Sequence, residues 1–244
     1  MRKRFGLLIF VCLLINSSVF AQQNWGGGVD NEPIHFGFTF QYVSAEYKIF
    51  KKTDWRKPFL DPTDSSVVKK SLNSISSPIS PGFGLGFVAN YRLGEHADLR
   101  FTPALVFSDR LLDYNYQNPD EYKQQKVQST MIDFPIGIKI KSERRKNFRA
   151  YLIGGAKYSV DIVSKKKTND DGFMLSERLV KNSRNVLWYE AGIGFDLYFE
   201  FFKLSPEIKL ANTFKSVLRP ENHPYSSPLD KLFLRNFQFS LYFE

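Results

Sequence analysis

Eight charged residues have the types and spacing to act together: Arg92, Arg100, Asp133, Lys139, Glu190, Asp196, Glu207 and Lys209. Each lies in a run where large apolar residues alternate with small or polar ones, and each falls on the small, polar phase. Period two is the side-chain period of a strand, so the eight share one face of a set of strands. Opposite charges on a common concave face pair with one another, or line a polar pore, or relay protons. General acid–base or nucleophilic chemistry would also need a base in reach of a nucleophile. The three histidines are scattered: His35 opens the first strand, His96 sits in a tight turn, and His223 lies in a proline-rich loop near Ser226 and Ser227. None stands in a recognisable nucleophile motif. Metal chemistry has less to work with: Cys12 is the only cysteine, and H-E-x-x-H and close histidine pairs are absent. Asn169-Asp170-Asp171-Gly172 lacks the spaced acids and terminal glutamate of a calcium loop and reads as a turn. The sequence therefore calls for no catalytic residue, metal or cofactor, and the charges read as a structural salt-bridge plug.

The elements that must position these charges are strands. In Pro81–Phe107 the residues Phe83, Leu85, Phe87, Ala89, Tyr91 and Leu93 alternate with Gly84, Gly86, Val88, Asn90 and Arg92. After Gly94-Glu95-His96-Ala97 the alternation resumes, with Leu99, Phe101, Pro103, Leu105 and Phe107 on one face and Arg100, Thr102, Ala104, Val106 and Ser108 on the other. This is a hairpin. Further strands run over 34–47, 127–140, 148–163, 185–199, 203–214 and 232–243, with the phase of the 148–163 strand left open by Gly154-Gly155. Eight strands result. Long connections follow the first, third, fifth and seventh, and short ones follow the second, fourth and sixth. That alternation predicts an eight-stranded antiparallel transmembrane outer-membrane β-barrel with four long extracellular loops and short periplasmic turns. The soluble alternative is a lipocalin-like barrel or jelly roll with its apolar face inward. The glycines on the polar face and an aromatic content of 16% favour the membrane form. An eight-stranded barrel is only wide enough for its own side chains, which removes a porin that passes large solutes. Trp25, Trp55 and Trp188, with Tyr42, Tyr91, Tyr189, Tyr198 and Tyr242, read as interfacial girdle residues rather than a ligand cage.

The ends of the chain agree with export. Met1-Arg2-Lys3-Arg4 precedes an apolar run, Phe5–Ile15, and Val19-Phe20-Ala21 supplies a small residue at the expected cut. This predicts a signal peptide over 1–21, cleaved after Ala21, and localisation in the cell outer membrane. The run is too short for a spanning helix. Residues 22–33 then form a flexible periplasmic leader and 34–244 the barrel domain. The net charge of +9 would ordinarily raise nucleic acid as a partner, but export argues against it. The basic residues cluster in loops: Lys48, Lys51, Lys52, Arg56 and Lys57; Arg144, Arg145 and Lys146; Lys165, Lys166 and Lys167. They fit solvated loop charge near the anionic headgroups of outer-membrane lipid or lipopolysaccharide phosphates.

The order of segments carries a resemblance. HFGFTFQY is followed by a long loop and SPGFGLGFVANYRLGEHADLRFTPALVF, then STMIDFPIGIKIKSERRKNFRAYLIGGAKYSVDI and YEAGIGFDLYFEFFKLSPEIKLANTF. Over nearly the whole mature chain this resembles the PorT family, also called SprT, outer-membrane barrels of the type IX secretion system and gliding motility. The resemblance implies a non-enzymatic role, with other secretion-system components in the outer membrane or periplasm as partners. It supplies no catalytic residues. QFSLYFE at the end looks like the strand read by the barrel-assembly machinery, although Glu244 follows the aromatic Phe243 that usually closes that signal. The alternatives are a general small surface barrel for adhesion or envelope stability and, more distantly, a lipid-modifying barrel enzyme.

Overall fold

The period-two runs form strands in the computed structural model, which describes residues 25–26, 28–30, 32–118, 121–163 and 172–244. The expected signal peptide and its cut, the Pro119-Asp120 turn and most of Asn169–Gly172 lie outside the described residues. In chain order the strands are β1 (Ile34–Lys51), β2 (Phe59–Leu60), β3 (Val67–Lys69), β4 (Leu72–Ser76), β5 (Ser80–Arg92), β6 (Ala97–Phe101), β7 (Ala104–Ser108) and β8 (Arg110–Tyr116). They continue as β9 (Tyr122–Val127), β10 (Thr130–Lys141), β11 (Phe148–Asp161), β12 (Lys181–Asn182), β13 (Asn185–Tyr198), β14 (Lys203–Thr213), β15 (Leu218–Arg219) and β16 (Leu229–Phe243). One sheet runs β1-β16-β14-β13-β11-β10-β6-β5-β7, and the pairings β1–β5 and β10–β7 close it into a ring. All its pairings are antiparallel.

The ring has eight staves, because β6 and β7 are two halves of one. Pro103 has no N–H to give the ladder. Around it the Pro103 carbonyl accepts from the Phe87 N–H at 2.9 Å and the Thr102 N–H reaches the Pro135 carbonyl at 3.2 Å, so the stave is interrupted without a change of phase. Arg100, Thr102, Ala104, Val106 and Ser108 all still point inward and are buried. Closure is made by β1, paired with β16 from Phe38↔Phe243 upward and with β5 from Ile34↔Tyr91 to Ala45↔Ser80.

The outer face of the ring is apolar. Phe36 and Phe87 are each 72% exposed, and Phe38, Phe40, Tyr42, Phe83, Leu85, Ile136, Ile138, Leu152, Ile193, Leu210 and Phe239 join them. On β1 this band runs from Ile34 to Tyr42 and then gives way to Ser44, Glu46 and Lys48. Nine residues is the length of a strand that crosses a bilayer with tilt. Leaving so continuous an apolar belt in water would forfeit about 25 cal/mol for every Å², whereas lipid covers it. A soluble barrel would have the opposite polarity, and the interior rules that out.

β1 and its neighbours continue well past the band. The connection after Tyr47, expected to be a structureless loop, is built: β1 extends to Lys51, β2 and β3 form a hairpin, and β4 joins β8 and β9 in a three-stranded sheet. The strand expected over 127–140 begins instead at Thr130, and Val127 ends β9. The last strand begins at Leu229 rather than Leu232. Beneath the extra sheet lies an apolar core of Tyr47, Leu72, Leu112, Tyr114, Tyr116, Val217, Tyr225, Leu229, Leu232 and Leu234, reaching down to Met131, Val186 and Trp188 in the ring. One end of the barrel is thus capped by its own loops.

Candidate functional site: the charged lumen and its rims

On β11 the open question of phase is settled: Tyr151, Ile153, Lys157, Ser159 and Asp161 are buried inside, while Leu152 and Tyr158 face out. With all staves phased, the period of two puts polar residues on the inner wall, and cross-strand register sets which can meet. Arg100 stands opposite Gly137, and Glu207 opposite Gly194. The second glycine makes room. A Cβ at Gly194 would lie 2.4 Å from the Tyr151 ring, so only glycine lets that ring lie flat on β13 and aim its hydroxyl at Glu207.

Arg100 is the hub. Its Nε donates to Asn90 Oδ1 at 2.9 Å, its Nη1 to Glu207 Oε2 at 2.8 Å, and its Nη2 to Glu244 Oε1 at 3.4 Å. Its guanidinium stacks 4.5 Å from the Tyr242 ring centroid. Glu207 also accepts from the Tyr151 hydroxyl at 2.9 Å and the Tyr242 hydroxyl at 3.0 Å. Lys139 donates to both oxygens of Asp196 at 2.7 and 2.8 Å and lies 3.9 Å from the Tyr151 ring centroid. The Ser205 hydroxyl donates to Asp196 at 2.6 Å. Lys209 pairs with Glu190 at 3.1 Å and Glu207 at 3.4 Å, and Lys157 with Asp133 at 2.8 Å. These side chains are buried; Arg100–Glu207 and Lys139–Asp196 span non-adjacent staves, Lys157–Asp133 and Lys209–Glu190 tie neighbouring staves, and Lys209–Glu207 lies along β14.

Seven of the eight expected charges stand in this network; Arg92 does not. It is exposed at the end of β5, and its Nη1 donates to the Asp30 carbonyl at 2.7 Å. Alternation assigns it inward, but β5 ends there and the wall opens to solvent. The inward position one register step across belongs to Asp98, paired with Lys141 at 2.6 Å. Alternation does not single out Lys157, on the strand whose phase Gly154-Gly155 leaves open, nor Lys203 and Glu244, at strand ends. Glu244 turns into the lumen and pairs with Lys203, and with Arg100 at 3.4 Å. The Lys203 and Glu244 backbones exchange N–H···O=C bonds at 2.7 and 2.9 Å. Six cations (Arg100, Lys139, Lys141, Lys157, Lys203, Lys209) meet six carboxylates (Asp98, Asp133, Glu190, Asp196, Glu207, Glu244). A wall balanced in this way offers no field to select a permeating ion. Above it apolar residues enter the interior, Val43, Ala45, Ala104 and Val106 and then the capping core, beside the buried Arg110, whose Nη2 donates to Asn236 Oδ1 at 3.0 Å.

At the end of the barrel that carries Glu244, the described part of the leader is seated, not free. The Gly26 N–H donates to the Phe199 carbonyl at 2.5 Å, and Arg144 Nη2 to the Trp25 carbonyl at 2.9 Å. Asp30 accepts from the Tyr198 hydroxyl at 3.2 Å and pairs with Arg144 at 3.4 Å and Arg149 at 3.6 Å. Burial works against the Asp30 charge, but Arg149, the Tyr198 hydroxyl and nearby lysines outweigh it and hold the carboxyl below its ordinary value. The leader composition, Gly-rich and polar, conceals this tie because it rests on backbone groups of Trp25 and Gly26 and on a single charged side chain, Asp30.

The histidines stay apart. His35 contacts Glu244 at 3.4 Å and Lys203 at 3.2 Å, and His96 is exposed in its turn. His223 is buried in the far loop, 3.7 Å from Glu221, while Ser226 Oγ accepts from the Glu221 N–H at 3.1 Å. Of the tryptophans expected in a girdle, Trp188 is instead fully buried in the lumen, its ring centroid 4.4 Å from Lys157 Nζ, and Trp55 lies in the far loops.

The sequence model of the family described as "Outer membrane protein beta-barrel domain" matches residues 20–218. The chain belongs to this family. It is an all-β outer-membrane barrel, which assigns the apolar belt to the outer membrane. Among solved structures it is similar to the outer membrane protein OprG of Pseudomonas aeruginosa, at 11% identity and a TM-score of 0.45, over 86% of this chain and 92% of that one. It is also similar to Ail, the attachment invasion locus protein of Yersinia pestis, at 8% identity and a TM-score of 0.32, over 87% and 98%. No curated protein matches the chain.

Proposed function

We propose that this barrel is a closed, non-enzymatic outer-membrane component that serves the assembly or operation of the type IX protein secretion system, and gliding motility where that occurs. The observation that carries the closed, scaffold-like part is the lumen: balanced ion pairs fill one half and an apolar core caps the other. Work then falls to the two rims. The secretion role is supported by the resemblance of segment order to the PorT family. In this reading the short turns, Glu244 and the seated leader face the periplasm, and the capped end with its extra sheet faces outward. The lumen charges are structural. Its partners are other secretion components, the surrounding lipid and, during biogenesis, the barrel-assembly machinery.

The test is deletion of the gene followed by assay of secreted proteins in the medium and of colony spreading. Loss of both, restored by the intact gene, is the expected result. Normal secretion and motility overturn the secretion role and leave a general surface barrel for adhesion or envelope stability.

A further inference from the structure

The far-end loops enclose a cleft of 320 Å³. Its walls include Lys52, Lys57, Lys69 and Lys70, with Trp55 and Tyr116 among the residues beneath them. Lys51 and Arg56 flank it. The cleft is organised rather than incidental. The Lys52 N–H bonds the Pro228 carbonyl at 3.0 Å, and the Leu72 N–H bonds the Arg56 carbonyl at 3.2 Å. The first of these contacts ties the end of β1 to the proline-rich loop, and the second ties the β1–β2 turn to β4. Trp55 packs on the capping core.

The charge here differs in kind from that of the lumen. The six cations of the lumen network each meet a carboxylate, and the buried Arg110 above them donates to Asn236 Oδ1 at 3.0 Å. Around the cleft, the cations meet aromatic faces: Lys51 Nζ lies 4.2 Å and Arg56 Cζ 4.9 Å from the Trp55 ring, and Lys69 Nζ lies 5.4 Å from the Tyr116 ring. An aromatic face positions a cation without neutralising it. Of the six cations only Lys57 has a carboxylate partner among the described residues, Asp54 at 3.9 Å, and both side chains are more than half exposed. Like charge therefore accumulates, and partial burial, with a smaller contribution from Arg56, lowers the Lys51 pKa. Such a cluster is unfavourable until an anion joins it.

We propose that this cleft is a binding site for a phosphorylated saccharide, the anionic sugar of the outer leaflet. The cleft size is that of a small-molecule site. Lys52, Lys57, Lys69 and Lys70 line one concave wall, and ammonium groups bind phosphate as point charges. Its height fits too. Lys52 lies ten residues beyond Tyr42, where the apolar band of β1 ends, so the cleft stands roughly 25 Å above the lipid at the rise and tilt of a barrel strand. That is the layer of lipopolysaccharide core sugars rather than acyl chains. The proposal rests on the outward orientation given above.

The test uses the full-length barrel purified in detergent and freed of lipopolysaccharide, with binding followed by isothermal titration. The probes are a phosphorylated core oligosaccharide from rough-type lipopolysaccharide, the same oligosaccharide after dephosphorylation, and inorganic pyrophosphate. The expected result is binding of the phosphorylated sugar, weakened about tenfold or more by dephosphorylation and by the paired change Lys52→Gln with Lys70→Gln. Arg145→Gln, in the turn at the opposite rim, serves as the control and leaves affinity unchanged. Unchanged far-ultraviolet circular dichroism shows that the variants fold. Equal affinity of the paired variant and the parent, or of the two oligosaccharides, overturns the proposal. Pyrophosphate binding without sugar binding overturns the saccharide assignment. None of these measurements depends on orientation in the cell. Surface labelling, described below, tests that separately.

Discussion

Lys139 and Asp196 give the sharpest test of the plugged lumen. Their side chains are essentially unexposed, and Nζ lies 2.7 and 2.8 Å from the two carboxylate oxygens. At an effective dielectric of about 20 the direct attraction is about 6 kcal/mol, most of it offset by the cost of taking both charges out of water. Replacing one partner leaves that cost without the attraction. In Lys139→Met the carboxylate keeps the Ser205 hydroxyl at 2.6 Å, and in Asp196→Asn the ammonium keeps the Tyr151 ring face. Neither replaces a counter-ion, so each change should cost about 3–5 kcal/mol. The double variant removes both charges and should lie within about 1 kcal/mol of the parent, which makes the pair strongly non-additive. The assay is urea unfolding of the barrel in phospholipid vesicles, read by tryptophan fluorescence and by heat-modifiable mobility on gels. Single variants that each cost less than about 0.5 kcal/mol and add in the double would mean that water reaches the pair, and the sealed lumen would fall with them.

Other expectations follow from the same wall and rims. Gly194→Val should displace Tyr151, strip a hydroxyl from Glu207 and cost about 1–3 kcal/mol, measured in the same unfolding assay; a stability equal to the parent would show that the ring is not packed on that glycine. Asp30→Asn should release the leader, seen as faster amide exchange over residues 25–30, with the barrel strands unaffected. Because the Asp30 pKa is depressed in the folded chain, its contribution is fully present above the ordinary value of 3.8 and is lost as pH falls through the lowered one. Leader exchange should therefore rise only in acid, and exchange that is already fast at neutral pH would refute the tie. Thr53→Cys should react with a membrane-impermeant maleimide on whole cells and Glu95→Cys only after permeabilisation, against a background free of cysteine beyond Cys12; the reverse pattern would invert the orientation.

Most of the ring was legible because a strand with one face in lipid and one in a polar lumen writes its burial at a period of two. Phe83, Leu85 and Phe87 against Gly84 and Gly86 needed no partner to be read. Arg100, Lys139, Glu207 and Lys209 were assigned inward by the same rule, and the structure places them there. The rule fails where the wall stops. Arg92 has the inward phase at the last residue of β5 yet lies in solvent, while Glu244, the residue after a terminal aromatic, turns inward to Lys203 and Arg100. Phase is a property of a strand's interior, and end residues answer to what lies beyond the rim. Lys157 was missed for a different reason: Gly154-Gly155 erases the alternation locally, and register with β10 and β13 restores it only in three dimensions.

The cap was hidden more deeply. β4 pairs with β8 across about forty residues, through a segment whose Lys, Ser, Pro and Asp content is that of any exposed connection. Leu112, Tyr114 and Tyr116 alternate along β8, but the members they pack with, Leu72, Ile75 and Tyr225, are scattered along the chain and show no period. They become a core only because the loops that carry them converge over the mouth of a ring whose strands outrun the bilayer. The length of β1 holds the clue: eighteen residues is about twice what a membrane needs, and a strand continued past the lipid must find new neighbours for its backbone and for Tyr47. The excess length therefore has a structural consequence. It prolongs the β1–β16 ladder to Lys51↔Leu229, sets Tyr47 in the core under the cap, and carries Lys51 and Lys52 out to the height where an anionic sugar layer would meet them.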